Sequence, residues 1–288
     1  MLRGLILIAL AAVSWGTTGS VTTVLVATAN AEPLLIGAAR TVVAAALLLI
    51  GARVVAGGLT VARADRGRCV AAGVGMAVFQ VAYFTAVTLS GIAAAALVAI
   101  CTAPLMIAAL AALFLGERVT GRVAAALFLG VAGTALLVAG PTEGAPPARF
   151  AGGVLLALVA GLAYALYAVL TKASLARSAP LPLTAATFAV AAACLVPALA
   201  WTERPLTQVA LGWPWLLYLG AVTTAGAYAL YAAGLRMVPA AVAGVVTLLE
   251  PLTATLLAVL VFGERLGLTG AIGAALLLSA IALLSRRP

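Results

Sequence analysis

Apolar residues fall into ten long blocks, rich in Ala, Leu and Val, at residues 4–28, 33–56, 69–89, 92–115, 121–140, 150–173, 181–201, 212–235, 238–262 and 267–285, with short polar breaks between them. Crossing the hydrocarbon core of a bilayer as a helix takes about 20 such residues. Within lipid, only helices and closed barrels pair all their own backbone groups, and barrel strands alternate apolar with polar side chains. These blocks do not alternate. The pattern therefore predicts an all-α membrane protein of ten transmembrane helices. The first block, with Arg3 before it and Ala29-Asn30-Ala31 at its end, imitates a secretory signal and cleavage site. It is too long for one and matches a later block, so it is expected to stay as a helix.

Two blocks carry one pattern. Thr247 to Arg265 reads TLLEPLTATLLAVLVFGER, and Ile100 to Arg118 reads ICTAPLMIAALAALFLGER, which sets Pro104 opposite Pro251 and Gly116-Glu117-Arg118 opposite Gly263-Glu264-Arg265. Between them lies GPTEGAPPAR, Gly140 to Arg149, whose prolines cannot continue a helix. The expected organisation is a five-helix repeat over 1–140, a periplasmic linker over 141–149 and a second five-helix repeat over 150–288. An odd number of crossings makes the second copy enter from the opposite face, so the repeats are inverted, the arrangement of secondary transporters with a site at the repeat interface.

The match extends along other blocks. Ala11, Trp15, Thr18 and Thr22 fall on Ala160, Tyr164, Tyr167 and Thr171, while Met76, Gln80 and Tyr83 fall on Thr224, Tyr228 and Tyr231. Each set has i, i+4, i+7 spacing and so lines one helix face. Both halves are expected to turn an aromatic and hydroxyl-bearing stripe inward.

Composition supports the lipid assignment. At 66% apolar and 8% charged residues, the chain has too little polar surface to coat a water-soluble globule. The net charge of +9 would fit nucleic acid in a soluble protein, but here it has a simpler source in the loops. With an even number of crossings, Arg3, Arg53, Arg63, Arg66, Arg68, Arg118, Arg122, Lys172, Arg177, Arg236, Arg286 and Arg287 lie on the side of the termini, against Arg149, Arg204 and Arg265 on the other. By the positive-inside rule, both termini are expected in the cytoplasm and the chain in the inner membrane as a multi-pass protein.

The sequence resembles the EamA-type branch of the drug/metabolite transporter superfamily and, within it, is similar to YddG-type amino-acid exporters. The residues that carry the resemblance are Trp15-Gly16, Glu32-Pro33 with Arg40, Pro104 with Gly116-Glu117-Arg118, and Glu250-Pro251 with Gly263-Glu264-Arg265. It implies a ten-helix carrier whose helices 1, 3, 4, 6, 8 and 9 surround a cavity that opens alternately to each side and passes small metabolites, usually outward.

Several residues inside the blocks are candidates for chemistry. Glu250 carries a charge that is costly in lipid, about 2.5–3.5 kcal/mol on insertion scales, so it should face protein or water. Thr247 shares its face. The residue reads either as a contact for a substrate ammonium or a proton-coupling carboxyl, or as a structural hydrogen bond tying its helix to a neighbour. Pro104 and Pro251 free a carbonyl one turn earlier, and are read as hinges or as packing kinks. Arg40, roughly 10 Å into its helix, snorkels to the interface, makes a structural bond or pairs with Glu32 or Glu250. Trp15, Thr18, Gln80, Tyr83, Tyr164, Tyr167, Tyr228, Tyr231, Thr247 and Glu250 are the expected substrate-binding set, although an aromatic ring in a membrane helix also serves as anchor or packing. Glu117-Arg118 and Glu264-Arg265 read as caps and loop anchors, and Trp201, Trp213, Trp215 and Tyr218 as interfacial anchors.

The chemistry of other classes finds no residues. The chain has no histidine, which removes Ser-His-Asp triads and His-based metal sites. Cys69, Cys101 and Cys194 are expected to be small buried thiols. No catalytic residue, metal or cofactor is expected. The expected function is export of small zwitterionic metabolites, above all neutral or aromatic amino acids, by alternating access. Export of another metabolite or a cationic drug, or a non-transporting scaffold or receptor, are the alternatives. The expected partners are the lipid bilayer and a small-molecule amino-acid substrate, with no nucleic acid, and the chain as monomer or homodimer.

Overall fold

In the computed structural model, described over residues 1–138, 147–262 and 267–285, the helices are α1 (Leu2–Gly16), α2 (Thr18–Ala29), α3 (Pro33–Val55), α4 (Arg66–Ser90), α5 (Ile92–Leu115), α6 (Gly121–Val138), α7 (Pro147–Ser174), α8 (Pro180–Leu195), α9 (Pro205–Tyr218), α10 (Ala227–Leu235), α11 (Ala240–Val246), α12 (Leu249–Phe262) and α13 (Leu268–Ser285). Among the described residues there is no strand. Eight helical stretches are long and apolar enough to cross a membrane, and Gly121–Leu136 and Leu268–Leu284 are shorter apolar helices. Gly263-Glu264-Arg265, Arg286, Arg287 and most of the expected linker lie outside the described residues. The last part of that linker is helical, because α7 already begins at Pro147.

The helix ends follow local chemistry. Asn30, at φ 47°, closes α2 in the left-handed conformation that its short amide tolerates, so the triplet resembling a cleavage site is a helix terminus. Gly116, at φ 65°, does the same for α5. Pro33, Pro180 and Pro205 open α3, α8 and α9, where a missing N–H costs nothing. The eighth block was expected to begin at 212, but Pro205 starts its helix a full two turns earlier.

Three stretches that the hydrophobic pattern draws as single helices are interrupted. Between α1 and α2 the Thr17 hydroxyl donates back to the Ser14 carbonyl at 2.8 Å. A π-helical segment, Leu219–Gly226, joins α9 to α10, and the hydroxyls of Thr223 and Thr224 both donate to the Leu219 carbonyl. Thr247 and Leu248 separate α11 from α12. There Pro251 has no N–H for the Thr247 carbonyl, and the Glu250 N–H takes that carbonyl instead at 3.0 Å. Pro104, its counterpart in the first half, sits inside an unbroken α5.

The dominant packing pairs are α4 on α7, α6 on α13, α5 on α7, α3 on α8, α1 on α10, α4 on α8, α3 on the π segment, α1 on α12, and α5 on α11. Glycines allow several of these. A Cβ added at Gly153 would lie 2.5 Å from the Ser90 Cβ, one at Gly161 2.7 Å from the Thr102 Oγ1, and one at Gly4 2.8 Å from the Met237 Cβ. Of the three cysteines, Cys69 and Cys101 are buried as expected, but Cys194 is exposed. It lies at the edge of the α8 face that Ala191, Ala192 and Leu195 bury in the bundle.

Ties between the turns hold the ends of the bundle. Asp65, fully buried, accepts from Arg177, from Arg68 at 3.1 Å and from the Ser178 hydroxyl at 3.1 Å. The Arg177 guanidinium is held above its ordinary range by the hydrogen bond it donates to Asp65. Lys172 Nζ donates to the Leu235 and Val238 carbonyls at 2.8 and 2.7 Å, closing the C-terminal end of α10.

Candidate functional site

The large side chains of the candidate set converge in the middle of the bundle. Trp15 on α1 is the hub: its ring lies 4.9 Å from Tyr228, 5.5 Å from Tyr231 and 6.4 Å from Tyr164. Tyr167 stacks on Tyr231 at 6.5 Å and meets Tyr228 edge-on at 5.7 Å. The cluster thus draws on α1 and α7 from corresponding places in the two halves, and on α10. Phe188 of α8 closes one side, 4.7 Å from Tyr228, while Phe79 of α4 links Tyr164 to Tyr83.

Such a cluster would be ordinary packing if its polar tips were satisfied. They are not. Trp15 Nε1, Thr18 Oγ1 and the hydroxyls of Tyr164, Tyr167 and Tyr231 are buried without a hydrogen-bond partner among the described residues. The Tyr164 and Tyr231 hydroxyls face each other, and Tyr167 faces Thr171, outside hydrogen-bonding geometry. Buried donors and acceptors are nearly always paired, and an orphan costs about 1–3 kcal/mol. Four of these five tips belong to the ring cluster, and Thr18 lies one turn after Trp15 in sequence.

Charge borders the cluster. The Glu250 backbone packs against Gly16, where a Cβ would come within 2.7 Å of its carbonyl oxygen. This close approach brings the Glu250 backbone to the residue that follows Trp15 on α1. Its side chain is partly accessible, and among the described residues it forms no ion pair. Within electrostatic reach are Arg40 of α3, Tyr83, Tyr164 and Tyr228. Thr247, one turn earlier, is buried with its hydroxyl bonded to the Gly244 carbonyl at 2.8 Å.

Arg40 is 8% exposed, so it does not snorkel. Its Nη2 donates to Gln80 Oε1 at 2.9 Å, Gln80 Nε2 reaches Thr41 Oγ1 at 3.4 Å, and the guanidinium lies 5.8 Å from the Phe84 ring centre. Glu32 is engaged elsewhere, accepting from the Glu203 N–H at 2.8 Å and Gln208 Nε2 at 3.2 Å. Arg40, with Phe79, Phe84 and Phe188, joins the site without having been assigned to it from sequence. Phe79 and Phe84 flank the Gln80 to Tyr83 stripe, and Phe188 is the one aromatic residue of an Ala-rich helix, which is the signal each offered.

The remaining candidates sit at the margin. Pro104 is buried on α5, close to Gly244 of α11. Pro251 is buried in the first turn of α12, directly after the interruption. Trp201, Trp213 and Trp215 are exposed, while Tyr218 turns inward to bond Thr17 through its hydroxyl at 2.9 Å. No group of three metal-ligating side chains occurs among the described residues.

Comparison with known proteins gives the family. The EamA-like transporter family matches residues 2–139 and, again, residues 151–286. The chain is 33% identical over 279 residues to the uncharacterized transporter YwfM of Bacillus subtilis, covering 97% of this chain and 92% of that one. It is 32% identical over 211 residues to an uncharacterized transporter of Archaeoglobus fulgidus, covering 72% and 73%. A solved crystal structure covers 98% of this chain and 96% of its own at TM-score 0.84 and 23% identity, which shows a shared fold. The double match of one family across both halves, with these relatives, means that the chain belongs to the EamA-like transporter family.

Proposed function

We propose that the chain is a secondary transporter of the inner membrane that exports small zwitterionic metabolites, neutral or aromatic amino acids above all, by alternating access. In this reading ten helices form two inverted five-helix repeats with both termini in the cytoplasm. The packing supports a twofold relation between the repeats, which the odd number of crossings per repeat would make an inverted one. Exchanging each helical span for the one five further on turns α4 on α7 into α10 on α1, α5 on α7 into α12 on α1, and α4 on α8 into the π segment on α3, while α6 on α13 and α3 on α8 map onto themselves. The alignment that pairs Ala11 with Ala160 and Gln80 with Tyr228 also pairs the Gly153 contact on Ser90 with the Gly4 contact on Val238.

The observation that carries the function is the set of unpartnered polar tips on an aromatic cluster fed by both halves. Rings from both sides of a repeat interface can part and close again as the halves rock, and an apolar side chain fits among them. Glu250 supplies a counter-charge for an amino group. A cationic drug is the competing cargo, but Arg40 within reach of Glu250 repels a lone cation. The structural reading of Glu250, a bond to a neighbouring helix, finds no such partner among the described residues.

The deciding experiment is efflux from proteoliposomes of the purified protein over a panel of amino acids, with and without a proton gradient. Saturable flux of a neutral or aromatic amino acid is expected. Absence of flux for every member would return the chain to a scaffold or receptor role, and Glu250→Gln with unchanged transport would remove that residue from the mechanism.

A further inference from the structure

We infer that Arg40 and Glu250 together form a head-group site for an α-amino acid, in which Arg40 takes the carboxylate and Glu250 the ammonium while the Trp15 cluster receives the side chain. The inference deepens the transporter reading and rests on it. Arg40 is more than nine-tenths buried, yet its Nε–H has no acceptor among the described residues. Gln80 occupies one of the five guanidinium donors and fixes the plane of the group. Gly37, whose Cβ would collide with the Phe84 ring at 2.6 Å, lets α3 and α4 approach closely enough for this bond.

Opposite, the Glu250 carboxylate has no ion-pair partner among the described residues. Two opposite charges held apart inside a bundle forgo the attraction that would offset their desolvation. A structural pair would close. A zwitterion satisfies both at once and adds no net charge, whereas a lone amine or a lone acid leaves one side uncompensated. Gln80 is a positioning residue in this scheme. The Tyr83 and Tyr228 rings lie within reach of both charges and define where the apolar part leaves the head group.

The test is isothermal titration of the purified full-length protein with L-phenylalanine, phenethylamine, which keeps the ammonium, and 3-phenylpropionate, which keeps the carboxylate. It is repeated with leucine, 3-methylbutylamine and 4-methylpentanoate. Wild type should prefer the amino acid over each truncated compound by about tenfold or more, since a site built for a polar group rejects ligands lacking it. Arg40→Gln should weaken the amino acid and bind the amine as well as wild type or better; Glu250→Gln should weaken the amino acid and bind the acid as well as wild type or better. Arg40→Lys, which keeps the charge, should recover part of the loss. If Arg40→Gln does not fold, the wild-type comparison and Arg40→Lys decide. Equal binding of amino acid and amine by wild type, or a uniform loss for all compounds in Arg40→Gln, overturns the inference and leaves the transporter reading standing. Failure of the wild type to bind or move any amino acid overturns that reading as well.

Discussion

The Glu117 carboxylate, in the middle of the first-half Gly-Glu-Arg motif, accepts the backbone N–H groups of Ala240 at 2.8 Å and Ala241 at 3.2 Å. Those N–H groups open α11, so an acid in the first half caps a helix of the second. The cap matters because Pro239, just before α11, offers no side-chain oxygen, and α11 has only seven residues. Glu117→Ala is expected to destabilise the protein by about 1–2 kcal/mol, at the upper end for a cap because the lost acceptor is anionic. Glu117→Gln, which keeps an acceptor, should lose less. Thermal unfolding of the two variants in detergent checks the order.

Gly73 of α4 faces α8 so closely that an added Cβ would lie 2.6 Å from the Thr187 carbonyl oxygen and 2.6 Å from the Val190 Cβ, whereas Gly51 of α3 has nothing within 4 Å. Backbone cannot step aside as a flexible side chain can. Gly73→Ala should therefore cost about 1–3 kcal/mol by overpacking. Gly51→Ala should be neutral or stabilising by up to about 1 kcal/mol through helix propensity. Melting temperatures that fall alike for both would show that the α4 and α8 backbones are not in contact there.

Much of this architecture is legible in the sequence, and the gaps have physical reasons. Block length and prolines at helix starts locate the elements because lipid and backbone chemistry leave few options. The repeat of Pro104 and Gly116-Glu117-Arg118 points to two copies, and the family match over 2–139 and 151–286 bears that out. Interruptions are harder to see. Thr17 and the Leu219–Gly226 segment carry no proline, and the glycines and threonines around them, Gly16-Thr17-Thr18-Gly19 and Thr223-Thr224, leave the block length unchanged, so it is the bonds of Thr17, Thr223 and Thr224 that locate the breaks. Pro251 and Pro104 look alike in sequence, yet one follows a break and the other lies in a continuous helix. Arg40 was ambiguous because burial depends on whether Gln80, forty residues away, is there to receive it.

That difference between the prolines yields a functional contrast. If the joint between α11 and α12 is where the second half flexes, restoring an N–H at position 251 should stiffen it by allowing a bond to the Thr247 carbonyl. Pro251→Ala is then expected to slow turnover by about tenfold, equivalent to roughly 1.4 kcal/mol in the barrier, with little change in substrate affinity. Pro104→Ala, in an already continuous α5, should change turnover several-fold less. Transport rates at saturating substrate, set beside equilibrium binding for each variant, separate the two. Equal effects would make both prolines packing features.

The orphaned hydroxyls set stability against function in a way that has a definite sign. Tyr231 is fully buried, its ring packs on Trp15, Tyr164 and Tyr167, and its hydroxyl has no hydrogen-bond partner among the described residues. Tyr231→Phe keeps every ring contact and removes only the unpaired group. If the hydroxyl does nothing, folding gains the desolvation it no longer suffers, about 1–3 kcal/mol, and nothing else changes. If it bonds the cargo or the water around it, the same variant should gain that stability while substrate binding weakens about five- to tenfold, the loss of one neutral hydrogen bond of about 1 kcal/mol or slightly more. The expected outcome is the second, a higher melting temperature with poorer binding, because sites that serve a ligand are left under-satisfied without it. Trp15→Phe is the control, since it also shrinks the ring and should lose stability and binding together. A Tyr231→Phe protein that melts higher and binds as well as wild type would assign the hydroxyl to neither substrate nor fold.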